Sequence, residues 1–268
     1  VTEGFSIRQL SRLSGHSPFK LKQIKNYWLS KEPPALSQRT YKSIDYLVFD
    51  GTYFHKDGCL ALFMNVVSGK PIQIAYIERE NYENVFPIIT KLRDKGINPI
   101  AITTDGHPSV LRALKEIWPE TILQRCLFHI QNQGLMWLRT FPKTESGKEL
   151  RSLYGTIARI RSAEEMIVFK IRYSKWHLKH KNYISSLPSS LVAFKDLKRA
   201  MSLINNAMPN MFHFITDKNI VSTTNILEGF FSQLKHQYRN HRGLSERHKI
   251  SYLKWFCYFK TVKNSNTF

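Results

Sequence analysis

YLVFDGTYFHKDGCLALFMNVVSGKPIQIAYI, residues 46–77, contains three apolar runs that set the architecture of the chain. The runs cover residues 46–54, 59–67 and 71–77, and a hairpin-type Asp57-Gly58 turn and a second glycine-containing turn separate them. Short apolar runs bounded by such turns are typical of strands joined by hairpins. The stretch therefore predicts three consecutive strands in an antiparallel meander.

Downstream, the pattern changes to strands that alternate with helices. The sequence predicts a helix over 81–95, a strand over 99–104, a helix over 108–118 and a strand over 121–127. The resulting order, β-β-β-α-β-α-β, indicates an α/β domain with a mixed five-stranded sheet and helices on both faces. This is the order of the ribonuclease-H-like fold.

The residues before the sheet fit two short helices. Ser6 and Ser17 are suitable N-caps, Gly15 ends the first helix, and Pro18 suits the first turn of the second. A helix, a short turn and a basic helix form the helix-turn-helix pattern, whose second helix enters the major groove of DNA. The cations expected to contact DNA there are Lys20, Lys22 and Lys25. The alternative is a plain helical hairpin that packs on the next domain.

The residues after the fifth strand show no strand pattern up to about residue 221 and are expected to form helices. Aromatic and basic residues are interleaved around residues 169–181, a pattern that suits nucleic-acid backbones and unstacked bases. The alternative for each aromatic is a place in the helical core. The cations expected to contact DNA in this region and after it are Lys170, Arg172, Lys175, Lys235 and Arg239.

The charge of the chain indicates a polyanionic partner. The formal net charge is +20, and residues 45–138 contribute −1 of it while every other part is basic. An excess of this size suits double-stranded DNA; the alternative is that it serves solubility alone. No apolar run reaches the ~18 residues of a membrane span, and three scattered cysteines favour a reducing compartment. We therefore expect a cytoplasmic, nucleoid-associated protein.

Three carboxylates are the candidate catalytic residues. Asp50 and Asp105 each end an apolar strand run, and neighbouring parallel strands would bring them side by side. A divalent cation removes the repulsion between two such carboxylates, and hard oxygen ligands suit Mg²⁺ or Mn²⁺. Glu228 is the candidate third ligand, on a helix that Ser222 or Thr223 could cap. The alternatives are ordinary turn residues for the two aspartates and a solvated helical Glu228.

Four sequence blocks carry a resemblance to a known family. They are Leu47-Val48-Phe49-Asp50-Gly51-Thr52, Thr104-Asp105-Gly106-His107, Gln124-Arg125-Cys126-Leu127-Phe128-His129 and Thr224-Asn225-Ile226-Leu227-Glu228. Over about residues 45–240 the chain resembles the mutator-type DDE transposases of bacterial insertion sequences. The resemblance implies Asp50, Asp105 and Glu228 as catalytic and metal-binding acids. It also implies a helical insertion between the fifth strand and the third acid. Cys126 and His129 match the family's C-x-x-H pair, for which a structural role is expected.

The sequence and the resemblance together predict a Mg²⁺-dependent DNA transposase. It would cleave and join element ends, binding the terminal inverted repeats and target DNA as a homodimer or higher multimer. The alternatives are a nuclease or resolvase of the same fold without strand transfer, and a DNA-binding protein without catalysis. The expected parts are a helix-turn-helix domain over 1–34, the first part of the catalytic core over 35–139, a helical insertion over 140–220, and the last core helices with a basic tail over 221–268.

Overall fold

The computed structural model describes residues 4–34, 44–54, 58–241 and 243–263. Within them, five strands form one mixed sheet in the order β3-β2-β1-β4-β5. The strands are β1 (Tyr46–Tyr53), β2 (Cys59–Asn65), β3 (Lys70–Ile77), β4 (Ala101–Thr104) and β5 (Ile122–Arg125). The predicted α/β class and five-stranded mixed sheet with helices on both faces are confirmed.

The first three strands form the expected antiparallel meander. In β1 and β2, Asp50 lies opposite Leu62, and β2 and β3 pair with a bulge between Phe63 and Met64. All seven residues of β2 are buried, because β2 has a strand on each side and is covered on both faces. Pro71 lies in β3, an outer strand of the sheet, where its missing N–H is tolerated. Residues 55–57 of the predicted Asp57-Gly58 turn lie outside the described residues.

The last two strands pair in parallel, with Thr104 opposite Arg125. Both are shorter than the apolar runs that predict them. β4 begins at Ala101 rather than at Pro99, a residue without a backbone N–H to donate. β5 ends at Arg125 because the next residue, Cys126, already occupies the N-cap position of a helix.

The first two helices begin at the capping residues that the sequence predicts. Ser6 and Ser17 accept hydrogen bonds from Gln9 N–H and Lys20 N–H, both at 3.2 Å, and so cap the first two helices as predicted. None of the helices in the described residues is both long enough and apolar enough to cross a bilayer. The helices are α1 (Ile7–Ser14), α2 (Pro18–Leu29), α3 (Tyr82–Asp94), α4 (Pro108–Ile117), α5 (Leu127–Leu138), α6 (Glu145–Tyr154), α7 (Ala163–Ser186), α8 (Val192–Ala207), α9 (His213–Thr216), α10 (Asn225–Arg239) and α11 (Glu246–Lys263).

The described chain folds as two compact units. The first contains β1, β2 and β3 with helices α1 to α4, α10 and α11. In it, α10 packs on β1 and α11 packs on β3. The second contains β4, β5 and helices α5 to α9.

The second unit has its own aromatic core. Phe169, Tyr173 and Trp176 of α7 are buried, and the Trp176 indole donates to the Ser146 carbonyl at 3.0 Å. Tyr154 is fully enclosed and donates to the Ala200 carbonyl at 2.7 Å. These aromatics therefore take the core alternative that the sequence left open, while the cations between them face solvent.

The N-terminal hairpin of α1 and α2 packs on α11 within the first unit. The Trp255 indole donates to the carbonyls of Trp28 and Lys31, both at 3.0 Å, and its ring meets that of Trp28 edge-on. Leu29 is the one residue of these two helices that is fully buried. The packing is the kind that the helical-hairpin alternative requires, and it leaves the lysines of α2 at the surface.

Candidate active site

Asp50 lies inside β1 with only 8% of its surface exposed. Its Oδ1 accepts the N–H of Gly51 at 2.8 Å. Gly51 has no room for a side chain, because a Cβ there would overlap the Glu80 carboxylate and the Cys59 sulfur. Glu80 is therefore a second acid beside this part of β1. Sequence reasoning did not single it out, because it belongs to no apolar run or motif.

Asp105 directly follows β4, whose four residues are all buried. Its Oδ1 accepts hydrogen bonds from the Thr104 hydroxyl at 3.2 Å and the His107 N–H at 3.0 Å. Gly106 between them has φ 86°, a left-handed conformation that favours glycine. The Asp105 carboxylate is thus held by its own loop at the end of a buried strand.

Arg125 supports that loop and was not among the predicted site residues. Its Nε donates to the Asp105 carbonyl at 3.2 Å, and a Cβ on Gly106 would overlap the Arg125 guanidinium. Burial lowers the pKa of Arg125, and the nearby Asp105 carboxylate opposes that shift. Sequence reasoning missed Arg125 because the contact joins residues twenty positions apart, although its place before Cys126 in the quoted block was a signal.

Glu228 lies in the first turn of α10 and is partly buried. Leu227, Phe230 and Phe231 on the same helix are buried, whereas Ile226 is 40% exposed. The helix begins at Asn225, so Ser222 and Thr223 lie too early to cap it.

Three hydrogen bonds within the second unit instead hold the segment that precedes α10. The Thr103 hydroxyl donates to the Val221 carbonyl at 2.8 Å, and the Leu127 N–H donates to the Ser222 carbonyl at 2.9 Å. The third bond is that of the Thr224 N–H, which donates to the Cys126 sulfur at 3.4 Å. These bonds hold residues 221–224, which precede α10 in the chain.

Cys126 and His129 form a compact buried cluster with Thr224. His129 Nδ1 lies 3.2 Å from the Cys126 sulfur and 3.4 Å from the Thr224 hydroxyl, and Cys126 and Thr224 are completely buried. Burial alone would raise the pKa of the Cys126 thiol, but hydrogen bonds from His129 and Thr224 outweigh it and lower that pKa. The pair thus joins the start of α5 to the residue that precedes α10.

The described residues hold no group of three or more His, Cys, Asp or Glu side chains arranged to bind a metal ion. Carboxylate oxygens of the kind that Asp50, Asp105 and Glu228 supply are the donors that Mg²⁺ and Mn²⁺ prefer. The donor chemistry therefore fits such an ion, but a three-residue grouping is not observed. The joint action of the three acids stays a prediction.

The predicted DNA-binding cations lie on three helices. Lys20 and Lys22 on α2 are exposed, as are Lys170, Arg172 and Lys175 on α7 and Arg239 on α10. Lys25 and Lys235 are partly buried, and the Lys235 ammonium lies 5.6 Å from the centre of the Phe54 ring. The exposed cations are available to a polyanion.

Three of the four sequence blocks lie within a range that matches a known family model. Residues 46–133 match the family model of the MULE transposase domain. The chain is also 22% identical over 270 residues to the transposase for insertion sequence element IST2 of Acidithiobacillus ferrooxidans, covering 93% of this chain and 91% of that protein. The predicted resemblance to the mutator-type transposases of bacterial insertion sequences is thereby confirmed.

Proposed function

We propose that this protein is a DNA transposase that cleaves and joins the ends of an insertion sequence. The observation that carries the proposal is the match of residues 46–133 to the MULE transposase domain, because this range contains both Asp50 and Asp105. The similarity to a named insertion-sequence transposase over nearly the whole chain supports it.

Asp50, Asp105 and Glu228 are the proposed catalytic acids of a ribonuclease-H-like core. Asp50 lies within the mostly buried strand β1, and Asp105 directly follows the buried strand β4. Glu228 lies in the first turn of α10. The resemblance to mutator-type transposases supports the assignment of the three acids as one catalytic set.

The proposed cofactor is Mg²⁺ or Mn²⁺, held by the same three carboxylates. When bound, such ions supply activation of a water or 3′-hydroxyl and stabilisation of charge at phosphorus. The chain's own contribution is to hold the Asp105 carboxylate in place through Thr104 and His107.

Double-stranded DNA is the proposed substrate and partner, both as terminal inverted repeats and as target. The net charge of +20 supports this, as do the exposed cations of α2 and α7. We propose that α1 and α2 act as a helix-turn-helix and that α2 contacts the major groove. Joining two ends calls for a dimer or larger multimer, working at the nucleoid.

The test is a cleavage and joining assay on a supercoiled plasmid that carries the element's own ends. Purified protein with Mg²⁺ is expected to release the element and join its ends to new DNA, and Asp105→Asn and chelation by EDTA are expected to abolish both products. Cleavage without joining would indicate the nuclease alternative. Binding without any cleavage by the unaltered protein would contradict the proposal and favour a DNA-binding protein without catalysis.

A further inference from the structure

Arg125 at the end of β5 is a buried cation that the proposed catalytic acids leave unexplained. Its side chain is largely buried, with 8% of the residue exposed, and Gly106 lies directly against the guanidinium. Its Nε is used to hold the Asp105 carbonyl at 3.2 Å. One edge of the guanidinium is therefore fixed to the Asp105 loop.

The charge of Arg125 is not matched by an ion pair among the described residues. The nearby Asp105 carboxylate instead accepts hydrogen bonds from its own loop through Oδ1. A cation enclosed in protein without a paired anion is costly. An anion that binds to such a cation would offset this cost.

The terminal nitrogens of Arg125 remain open to such an anion. They make no hydrogen bond within the described residues. Among those residues, the one completely buried side-chain nitrogen or oxygen without a hydrogen bond is His241 Nε2. The terminal nitrogens of Arg125 are therefore not completely buried. A guanidinium that is fixed on one edge and open at the other presents paired N–H donors to a planar or tetrahedral oxyanion.

We infer that the terminal nitrogens of Arg125 bind the phosphodiester that is cut. The inference rests on the proposed function and deepens it by adding a phosphate-binding residue to the three acids. The scissile phosphate is favoured over others along the DNA because Arg125 holds the backbone of Asp105 itself. An anion bound to the terminal nitrogens of Arg125 would be separated from Asp105 by a single guanidinium group.

The test compares two proteins on two DNAs in Ca²⁺, so that binding is measured without cleavage. One DNA is the unmodified element end, and the other carries an uncharged methylphosphonate at the cleavage position. Arg125→Gln is compared with the wild type, and Arg151→Gln is the matched control. Arg151 also donates to a backbone carbonyl, that of Leu135 at 3.0 Å, but lies on α6. Thermal melting establishes that each variant folds.

Wild-type protein and Arg151→Gln are expected to lose about tenfold or more in affinity when the phosphate is made neutral. Arg125→Gln is expected to show that loss already on unmodified DNA, with no further loss on the neutral one. If Arg125→Gln stays as sensitive to the neutral phosphate as the wild type, Arg125 only supports the loop and the inference is overturned. An insensitive wild type overturns it as well.

If Arg125→Gln does not fold, the side-chain ¹⁵N signal of Arg125 in wild-type protein gives a second readout, assigned with Arg125→Lys. The signal is expected to shift on the unmodified end and not on the methylphosphonate end, and equal shifts on both would overturn the inference. Failure of the proposed function looks different, because wild-type protein would then neither cleave nor join ends in Mg²⁺.

Discussion

At the scale of single residues, Gly106 excludes a side chain for two separate reasons. Its φ of 86° is left-handed, and a Cβ there would overlap Arg125. Gly96 has nearly the same φ, 85°, but nothing lies within 4 Å of the position its Cβ would take. The two glycines therefore separate the cost of the backbone conformation from the cost of the contact with Arg125.

Gly96→Ala is expected to lower the free energy of unfolding by about 1 kcal/mol, which is the cost of a left-handed alanine. Gly106→Ala is expected to lower it by about 1–3 kcal/mol more, because the guanidinium has to move. Denaturant unfolding of the two variants measures both costs. Equal losses would show that Arg125 does not pack against Gly106.

Cys126 and Cys257 are both buried cysteines with opposite electrostatic surroundings. Hydrogen bonds from His129 and Thr224 lower the pKa of Cys126 from its ordinary value of 9.0, whereas burial raises that of Cys257. A thiol with a lowered pKa stabilises the folded state fully above its unfolded pKa, and this contribution is lost as the pH falls through the folded pKa. A thiol with a raised pKa makes the folded state less stable as the pH rises past its unfolded value.

The stability advantage of wild-type protein over Cys126→Ala is therefore expected to grow as the pH rises from about 7 to about 9. The advantage over Cys257→Ala is expected to shrink at the upper end of the same range. Urea unfolding at several pH values measures both differences. Parallel pH dependences for the two variants would contradict the assigned environment of Cys126.

The sequence allows some candidate site residues to be found and hides others for a physical reason. Asp50 and Asp105 stand out because a charged residue ends an apolar run. Arg125 and Glu80 do not stand out, because each is distinguished only by its packing against a glycine that is distant in the sequence. Contacts of this kind leave no periodic signal in the chain.

At the scale of elements, α2 has one face toward α11 and carries exposed lysines. Lys20 and Lys22 are exposed, and the Trp255 indole holds the other end of the helix. If α2 contacts DNA phosphates, each lysine adds about 0.9 to the steepness of the dependence of affinity on salt. If α2 only packs on α11, the two lysines add nothing.

Lys20→Gln with Lys22→Gln is expected to weaken DNA binding and to reduce the slope of log affinity against log salt by about 2. The control pair is Lys148→Gln with Lys179→Gln, two lysines that form salt bridges with Glu145 and Glu149. Salt titration of DNA binding by fluorescence anisotropy gives the slopes. An unchanged slope for the α2 pair would favour the helical-hairpin alternative.

Element type was predictable from the sequence wherever local signals agree. Ser6, Gly15 and Ser17 mark both ends of α1 and the start of α2 correctly, because capping is a local hydrogen bond. The start of α10 was misplaced because Val221 to Thr224 are held by distant partners such as Thr103 and Cys126. Local caps are visible in a sequence, whereas anchors from other elements are not.

At the scale of the whole molecule, one near-neutral segment differs in charge from the basic remainder of the chain. Residues 45–138, which include Asp50 and Asp105, have a net charge of −1 in a chain of +20. A near-neutral segment can hold carboxylates for a cation, while basic surroundings attract the DNA backbone. The proposed cleavage requires three acids, distant in the sequence, to act as one set.

The most direct test of that claim measures end cleavage by Asp50→Asn, Asp105→Asn, Glu228→Gln and the triple variant, with the exposed Glu246→Gln as control. Each single variant is expected to lose about 10²-fold or more in cleavage rate, and the triple variant no more than the worst single one, because residues that act as a unit are non-additive. Binding of element ends and the rate of Glu246→Gln should stay near wild type. A Glu228→Gln protein that cleaves at the wild-type rate would contradict the account.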